Sequence, residues 1–117
     1  MKPGDRIGSE PSEAAFTRMV IQMARLFGWR CAHFRASMNR RGKWSTAVQG
    51  DGAGFPDLLL VNAKAGRTIA AELKVGRNKP TQEQTLWLAA FAQAGIEAVV
   101  WYPSQWGEIE TALKSVG

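Results

Sequence analysis

Phe55-Pro56-Asp57-Leu58-Leu59-Leu60-Val61, a turn at Asn62-Ala63-Lys64-Ala65-Gly66, and a return through Thr68-Ile69-Ala70-Ala71-Glu72-Leu73-Lys74-Val75 form the stretch that decides the architecture. Leu58 to Val61 is a short, continuous apolar run, the pattern of a buried strand. Thr68 to Val75 reads as a second strand, and the short turn between them makes the pair an antiparallel hairpin. Side chains alternate across a strand, so Ile69, Ala71, Leu73 and Val75 share a face suited to packing on helices. Ala70, Glu72 and Lys74 share the other face. Ionised groups cost on the order of several kcal/mol when buried unpaired, so this strand keeps Glu72 and Lys74 only if something offsets them.

A Glu72–Lys74 salt bridge at a sheet edge is one way to offset the charges, and a metal ion is the other. The pairing geometry favours the metal. Asp57 opens the first strand and Glu72 lies near the end of the second, 72 − 57 = 15 positions later. Antiparallel pairing therefore brings the two carboxylates together. Two hard oxygen ligands at one end of a sheet suit a magnesium-like ion that keeps several of its waters. Such an ion lowers the pKa of a bound water and polarises a phosphate oxygen, as phosphodiester hydrolysis requires. Lys74, on the same face as Glu72, is suited to hold the attacking water and to counter charge building on the phosphorus centre.

Outward from the hairpin, Ser9, Pro11 and Ser12 precede the series Ala15, Phe16, Met19, Val20, Met23, Leu26 and Phe27. Its spacing is that of an amphipathic helix that starts near Pro11 and stops at Gly28. Trp29 to Arg35 alternates enough to predict a strand. Residues 36–54 carry Ser, Asn, Gly, Arg and Lys around Trp44 and Val48, a long loop or ragged hairpin of the kind that is usually functional or mobile. After the hairpin comes a basic loop, Gly76 to Pro80. Thr81 caps a helix with Leu86, Trp87, Ala90 and Phe91 on one side, which Gly95 ends. Glu97 to Tyr102 is a strand that Pro103 breaks, and Ser104 begins a last helix with Ile109, Leu113 and Val116 inward. The order helix, strand, loop, strand, strand, helix, strand, helix predicts an α/β fold in which a mixed sheet is flanked by helices. Residues 1–117 are expected to form one domain, with the first ten flexible.

Composition narrows the function classes. With 45% hydrophobic and 21% charged residues the chain reads as an ordinary globule. Its one cysteine, Cys31, cannot form an intrachain disulfide and is too little for the usual zinc site. No run approaches a membrane span and the N-terminus reads as no signal peptide, so a cytoplasmic protein is expected, free-standing unless the chain is a fragment. A domain this small buries a modest core, which makes a homodimer a natural supplement. The net charge of +5 points to an anionic partner. Between Glu13 and Asp51 there is no acidic residue, while Arg18, Arg25, Arg30, Arg35, Arg40, Arg41 and Lys43 all fall there. Such a stretch favours a polyanion, although a merely solvated basic face would look alike.

Pro56-Asp57 followed by Glu72-Leu73-Lys74 matches the PD-(D/E)xK nuclease signature of the restriction-endonuclease-like fold. That motif is short. Its surroundings sharpen it: Gly50-Asp51-Gly52-Ala53-Gly54-Phe55 before the aspartate, and Lys79-Pro80-Thr81-Gln82-Glu83-Gln84 before Trp87-Leu88. Together, from about Glu13 to Val100, they resemble the VRR-NUC branch, found in phage and bacteria and at the end of a eukaryotic DNA-repair nuclease. The resemblance implies an endonuclease that cleaves DNA with Mg2+ or Mn2+ and no organic cofactor. It also implies a homodimer acting on branched DNA such as Holliday junctions. Asp57 and Glu72 would be direct metal ligands with the backbone carbonyl of Leu73. Lys74 would be the catalytic lysine, and Glu13 would act on the metal through water. Gln84 matches a glutamine beside the site, although Gln82 stands close enough to compete for that assignment.

Other residues carry plainer readings. Glu13 in a first helical turn is favoured by the helix dipole alone. Asp51, between two glycines, suits a turn better than a third metal contact. His33 reads as a packed or solvent-facing histidine, since metal and lysine suffice to activate water. Arg35, Arg40, Arg41, Lys43, Arg77 and Lys79 are the expected phosphate contacts, and Trp44 among the cations can stack on an unpaired base. Two other functions stay open on sequence alone: the same chemistry on flaps, ends or nicked duplex, and a DNA-binding module without catalysis.

Overall fold

The computed structural model describes residues 10–34, 36–38, 44–46 and 50–114. In chain order the elements are α1 (Glu13–Leu26), β1 (Arg30–His33), β2 (Ala36–Met38), β3 (Trp44–Thr46), β4 (Leu58–Asn62), β5 (Arg67–Leu73), α2 (Gln82–Gln93), β6 (Glu97–Trp101) and α3 (Trp106–Lys114). A short 3-10 turn at Pro103–Gln105 leads into α3. The expected mixed sheet is present, with strand order β1-β4-β5-β6. The β1–β4 and β4–β5 pairs are antiparallel, whereas β5 and β6 are parallel. A parallel pair needs a crossover, and α2 supplies it.

Two short strands stand where the sequence suggests a long loop or a ragged hairpin. β2 and β3 pair antiparallel, Ala36 with Thr46 and Met38 with Trp44, in a separate two-stranded sheet. The segment is thus the hairpin of the two alternatives. The strand expected to run to Arg35 ends at His33, and Arg35 lies outside the described residues. Residues 1–9 and Val116 lie outside them too. Among the described residues, no helix is long and apolar enough to cross a membrane.

The hydrophobic core occupies one side of the sheet. Ile69, Ala71 and Leu73 of β5 and Leu58 and Leu60 of β4 pack with Phe16, Val20 and Ala24 of α1 and Ile109 and Leu113 of α3. This is the face that alternation assigns to a helix layer. α1 starts one residue after its cap, Ser12, whose Oγ accepts the Ala15 N–H at 3.1 Å. Pro11 therefore precedes the helix instead of opening it. The buried line is narrower than the sequence stripe, because Met19 is 37% exposed and Leu26, at the C-terminal end, 79%. Trp29 closes the core from the edge: its Nε1–H donates to the Leu113 carbonyl at 2.8 Å. Arg67 stacks over the Trp29 ring and pairs with Glu97 at 2.7 Å, which ties β5 to β6 where the parallel pair begins.

The opposite side is different in kind. No residue of α2 is buried, and Leu86 is 62% exposed, so the apolar side expected for this helix is only half realised. Trp87 and Phe91 are half-buried and pack edge-on to Phe55, which also meets Phe34 at 5.0 Å between ring centroids. This small aromatic cluster holds α2 over the sheet while leaving room beneath its first turn.

Candidate active site

The site grows out of the β4–β5 register. Leu58 pairs with Ala71, so Asp57, one step before β4, stands opposite Glu72. The strand ladder reaches into the aspartate itself. Its Oδ2 accepts the Leu73 N–H at 2.9 Å, and its carbonyl accepts the Phe34 N–H at 2.8 Å. Asp57 is thereby clamped between β5 and the end of β1. Lys74 lies one residue beyond β5, where its N–H donates to the Trp101 carbonyl at 3.0 Å, so the backbone there is still fixed by the sheet.

Among the described residues Glu72 is the one charged side chain that is buried. It is only 1% exposed, among core residues. Its Oε2 accepts from Gln84 Nε2 at 2.8 Å and lies 3.4 Å from Lys74 Nζ. Its Oε1 is buried without any partner. A carboxylate oxygen in that condition is costly unless a cation or an ordered water completes it. Burial first, then the negative charge of Asp57, pushes the Glu72 carboxyl up to about 7, against a smaller opposing pull from Lys74. Burial also raises the Asp57 carboxyl, opposed chiefly by the hydrogen bond from Leu73. Two buried carboxyls, both raised by burial and Glu72 further by the charge of Asp57, form a place that a divalent cation would relieve.

The side chains present fit such an ion. Among the described residues no group of three or more His, Cys, Asp or Glu side chains converges. Asp57 and Glu72 offer hard oxygens, and a Mg2+ or Mn2+ ion bound there would fill its remaining positions from backbone, water and substrate phosphate.

One cavity of about 640 Å³ brings together the residues singled out in the sequence: Glu13, Asp57, Glu72, Lys74 and Gln84 all line it. Glu13 comes from the first turn of α1 and is exposed at the cavity wall. Of the two competing glutamines, Gln84 makes the contact with Glu72, while Gln82, two residues earlier, is exposed. Asp51 stands apart, with its carbonyl accepting the Trp87 Nε1–H at 2.8 Å in a separate hollow, in keeping with its reading as a turn residue. Arg77 and Lys79 are exposed on the loop after β5. That loop is braced by Tyr102 Oη–H to the Asn78 carbonyl and by the Gly76 N–H to the Glu10 carboxylate. Arg40, Arg41 and Lys43 lie outside the described residues, as does Arg35. Trp44 opens β3.

Several lining residues escaped the sequence reading. Thr17, Arg18 and Ile21 complete the α1 wall, and His33 and Phe34 form the rim at the end of β1. The helical spacing from Glu13 to Thr17, Arg18 and Ile21 is the signal that could have found them. His33 is solvent-facing, as read, but it faces solvent at the mouth of this cavity.

The model of the VRR-NUC domain matches residues 29–105, which is 77 of the 117 residues. The chain belongs to the VRR-NUC domain family. The matched residues take in Asp57, Glu72 and Lys74, and the mixed sheet flanked by helices agrees with the fold class expected from the sequence. A Fanconi-associated nuclease 1 homolog from Caenorhabditis elegans is 44% identical over 48 residues, 41% of this chain. The chain spans only 6% of that relative's length. Among solved structures it is similar to Hjc of Archaeoglobus fulgidus, a Holliday junction resolvase, with a TM-score of 0.46 and 20% identity. That similarity covers 76% of this chain and 67% of the other.

Proposed function

We propose that this VRR-NUC domain is an endonuclease that hydrolyses DNA phosphodiester bonds with Mg2+ or Mn2+. Asp57, Glu72 and the Leu73 carbonyl would hold the ion, and Glu13 would reach it through water. The observation that carries the proposal is the buried Glu72: one oxygen is held by Gln84 and Lys74 while the other has no partner. A purely structural carboxylate in that position would be better replaced by an apolar residue.

When bound, the cation supplies positive charge that polarises the scissile phosphate and acidifies water. The remaining work falls to the chain. Lys74, whose side chain is 14% exposed, can reach the cavity while paired with Glu72. There it is suited to orient the attacking water and to offset charge on the phosphate oxygens as they gain it. Asp57 is held in place by the Leu73 N–H on its Oδ2 and would ligate the ion from there. Arg77 and Lys79 on the braced loop, with Arg35, Arg40, Arg41, Lys43 and Trp44, would grip the flanking strand.

The preferred substrate in this reading is branched DNA such as a four-way junction, cut by a homodimer whose two sites are related by a two-fold axis. The test is cleavage of labelled four-way junction, flap, nicked and linear duplexes of matched sequence, each with Mg2+, Mn2+ or EDTA. The proposal expects metal-dependent cuts with the junction preferred. Preference for flaps, ends or nicks would move the substrate but keep the chemistry. Tight DNA binding with no cleavage in any metal would leave a binding module instead. Light scattering of the free protein tests the dimer.

A further inference from the structure

Gln84 makes two contacts at once. Its Oε1 accepts the Thr81 backbone N–H at 2.8 Å, and its Nε2 donates to Glu72 Oε2, also at 2.8 Å. The first belongs to a capping box, whose other half runs from the Gln84 N–H to Thr81 Oγ1 at 3.2 Å. A carboxamide has one accepting end and one donating end, and its neighbours decide which way it lies. Here the backbone N–H decides, because it can only donate: it takes the Oε1 end and turns Nε2 toward Glu72, and a flipped amide would set donor against donor at Thr81.

We infer that the backbone half of the α2 capping box, the Thr81 N–H held by Gln84, is a working part of the metal site. The Thr81 N–H positions the Gln84 carboxamide, which holds Glu72 Oε2 and leaves the buried Oε1 as the free ligand oxygen. Thr81 and Gln84 are thus positioning residues for Glu72. The inference rests on the metal-site reading above. A second feature locks the same joint from outside. A Cβ at Gly54 would come within 2.5 Å of the Glu83 carbonyl carbon and 2.7 Å of the Gln84 nitrogen. The loop leading to Asp57 therefore lies in backbone contact with the turn that carries Gln84. Both carboxylates are referenced to one helix end.

The two halves of the capping box separate by mutation. Thr81→Ala removes the hydroxyl and keeps the N–H. Thr81→Pro removes both, and the Thr81 φ of −73° already suits proline. Cation affinity is read by calorimetric titration of the full chain with Mn2+. The expected result is Thr81→Ala within about twofold of the parent and Thr81→Pro about tenfold weaker or more, as for lost partners of ligating carboxylates. Gln84→Met should match Thr81→Pro, and the double variant should be no worse than Gln84→Met, because the N–H acts only through that side chain. Equal affinities for Thr81→Ala and Thr81→Pro would overturn the inference. So would a Thr81→Pro loss that persists undiminished in the Gln84→Met background.

Amide exchange gives a readout that does not require the proline variant to fold. The exposed Thr81 N–H should exchange about tenfold or more slowly in the parent than in Gln84→Met, and equal rates would overturn the proposal. Glu72→Ala separates the levels. If it abolishes Mn2+ binding while Thr81→Pro does not weaken it, the cap's role alone fails. If Glu72→Ala binds Mn2+ as the parent does, the site reading fails and this inference with it.

Discussion

The two sides of the central sheet are built from the same strands but obey different physics. Toward α1 and α3, β5 presents Ile69, Ala71 and Leu73, each at most 1% exposed and enclosed by aliphatic and aromatic neighbours. Toward α2 it presents Glu72, equally buried, with one oxygen unpartnered and a lysine and a glutamine on the other. The α1–α3 side is apolar and closed, except where the start of α1 walls the cavity. The α2 side opens into a cavity under a helix with no buried residue of its own. The contrast shows how so small a domain can keep destabilising charges. One face carries the hydrophobic stabilisation and frees the other for carboxylates whose proton affinity is set by burial.

If this division is right, substitutions on the two sides should separate stability from chemistry. With both carboxylates left in place, Lys74→Ala is the largest expected effect on the open side: cleavage should fall by about 10²–10³ with binding of DNA and the melting temperature preserved. Leu60→Ala or Leu113→Ala on the closed side should cost about 2–5 kcal/mol in denaturant unfolding, while any folded fraction cleaves normally. A Lys74→Ala protein that unfolds, or a Leu113→Ala protein that folds stably and has lost its chemistry, would break the comparison.

The pH dependence of the metal-free protein sharpens it. Glu72 binds its proton more tightly folded than unfolded, its carboxyl being raised from 4.5 to about 7. Between those values the folded state holds the extra proton, so stability is greatest at the acid end and is lost as pH rises toward 7. At roughly 1.4 kcal/mol for each tenfold change in proton affinity, the loss is about 3 kcal/mol at most. Chemical denaturation in EDTA at pH 5 and pH 8 measures it. Glu72→Gln should flatten the difference, and saturating Mg2+ should restore stability at pH 8. A profile unchanged by Glu72→Gln would show that the buried carboxyl does not carry the effect.

The smallest effect belongs to the braced loop. Arg77→Ala and Lys79→Ala should each weaken DNA binding modestly and reduce the slope of log affinity against log salt by about 1, without changing turnover at saturating DNA. An unchanged salt slope would remove this loop from the interface.

The closed side was the more legible of the two. Alternation along β5 assigns Ile69, Ala71 and Leu73 to the helix layer, and the hairpin brings Asp57 to Glu72, because both follow from a period of two and a short turn. The open side resisted for physical reasons. Apolar spacing on α2 suggests a packed stripe, yet spacing cannot show that the helix stands over a cavity, so Leu86 is exposed. The choice between Gln82 and Gln84 rests on helix register, which the Thr81-x-x-Gln84 capping box sets. Arg18 and His33 reach the cavity from α1 and β1, elements whose approach to Asp57 depends on tertiary packing. The hairpin of β2 and β3 was half visible, since its polar, glycine-bearing composition fits a loop equally well.

The central claim is that Asp57, Glu72 and Lys74 form a metal-dependent cleavage site. It is tested most directly by following a labelled four-way junction in Mg2+ with the parent chain and with Asp57→Ala, at protein concentrations that saturate DNA binding for both. The account predicts cuts by the parent that vanish in EDTA, and no cuts by Asp57→Ala despite full binding. Cleavage by Asp57→Ala at the parent rate would contradict it.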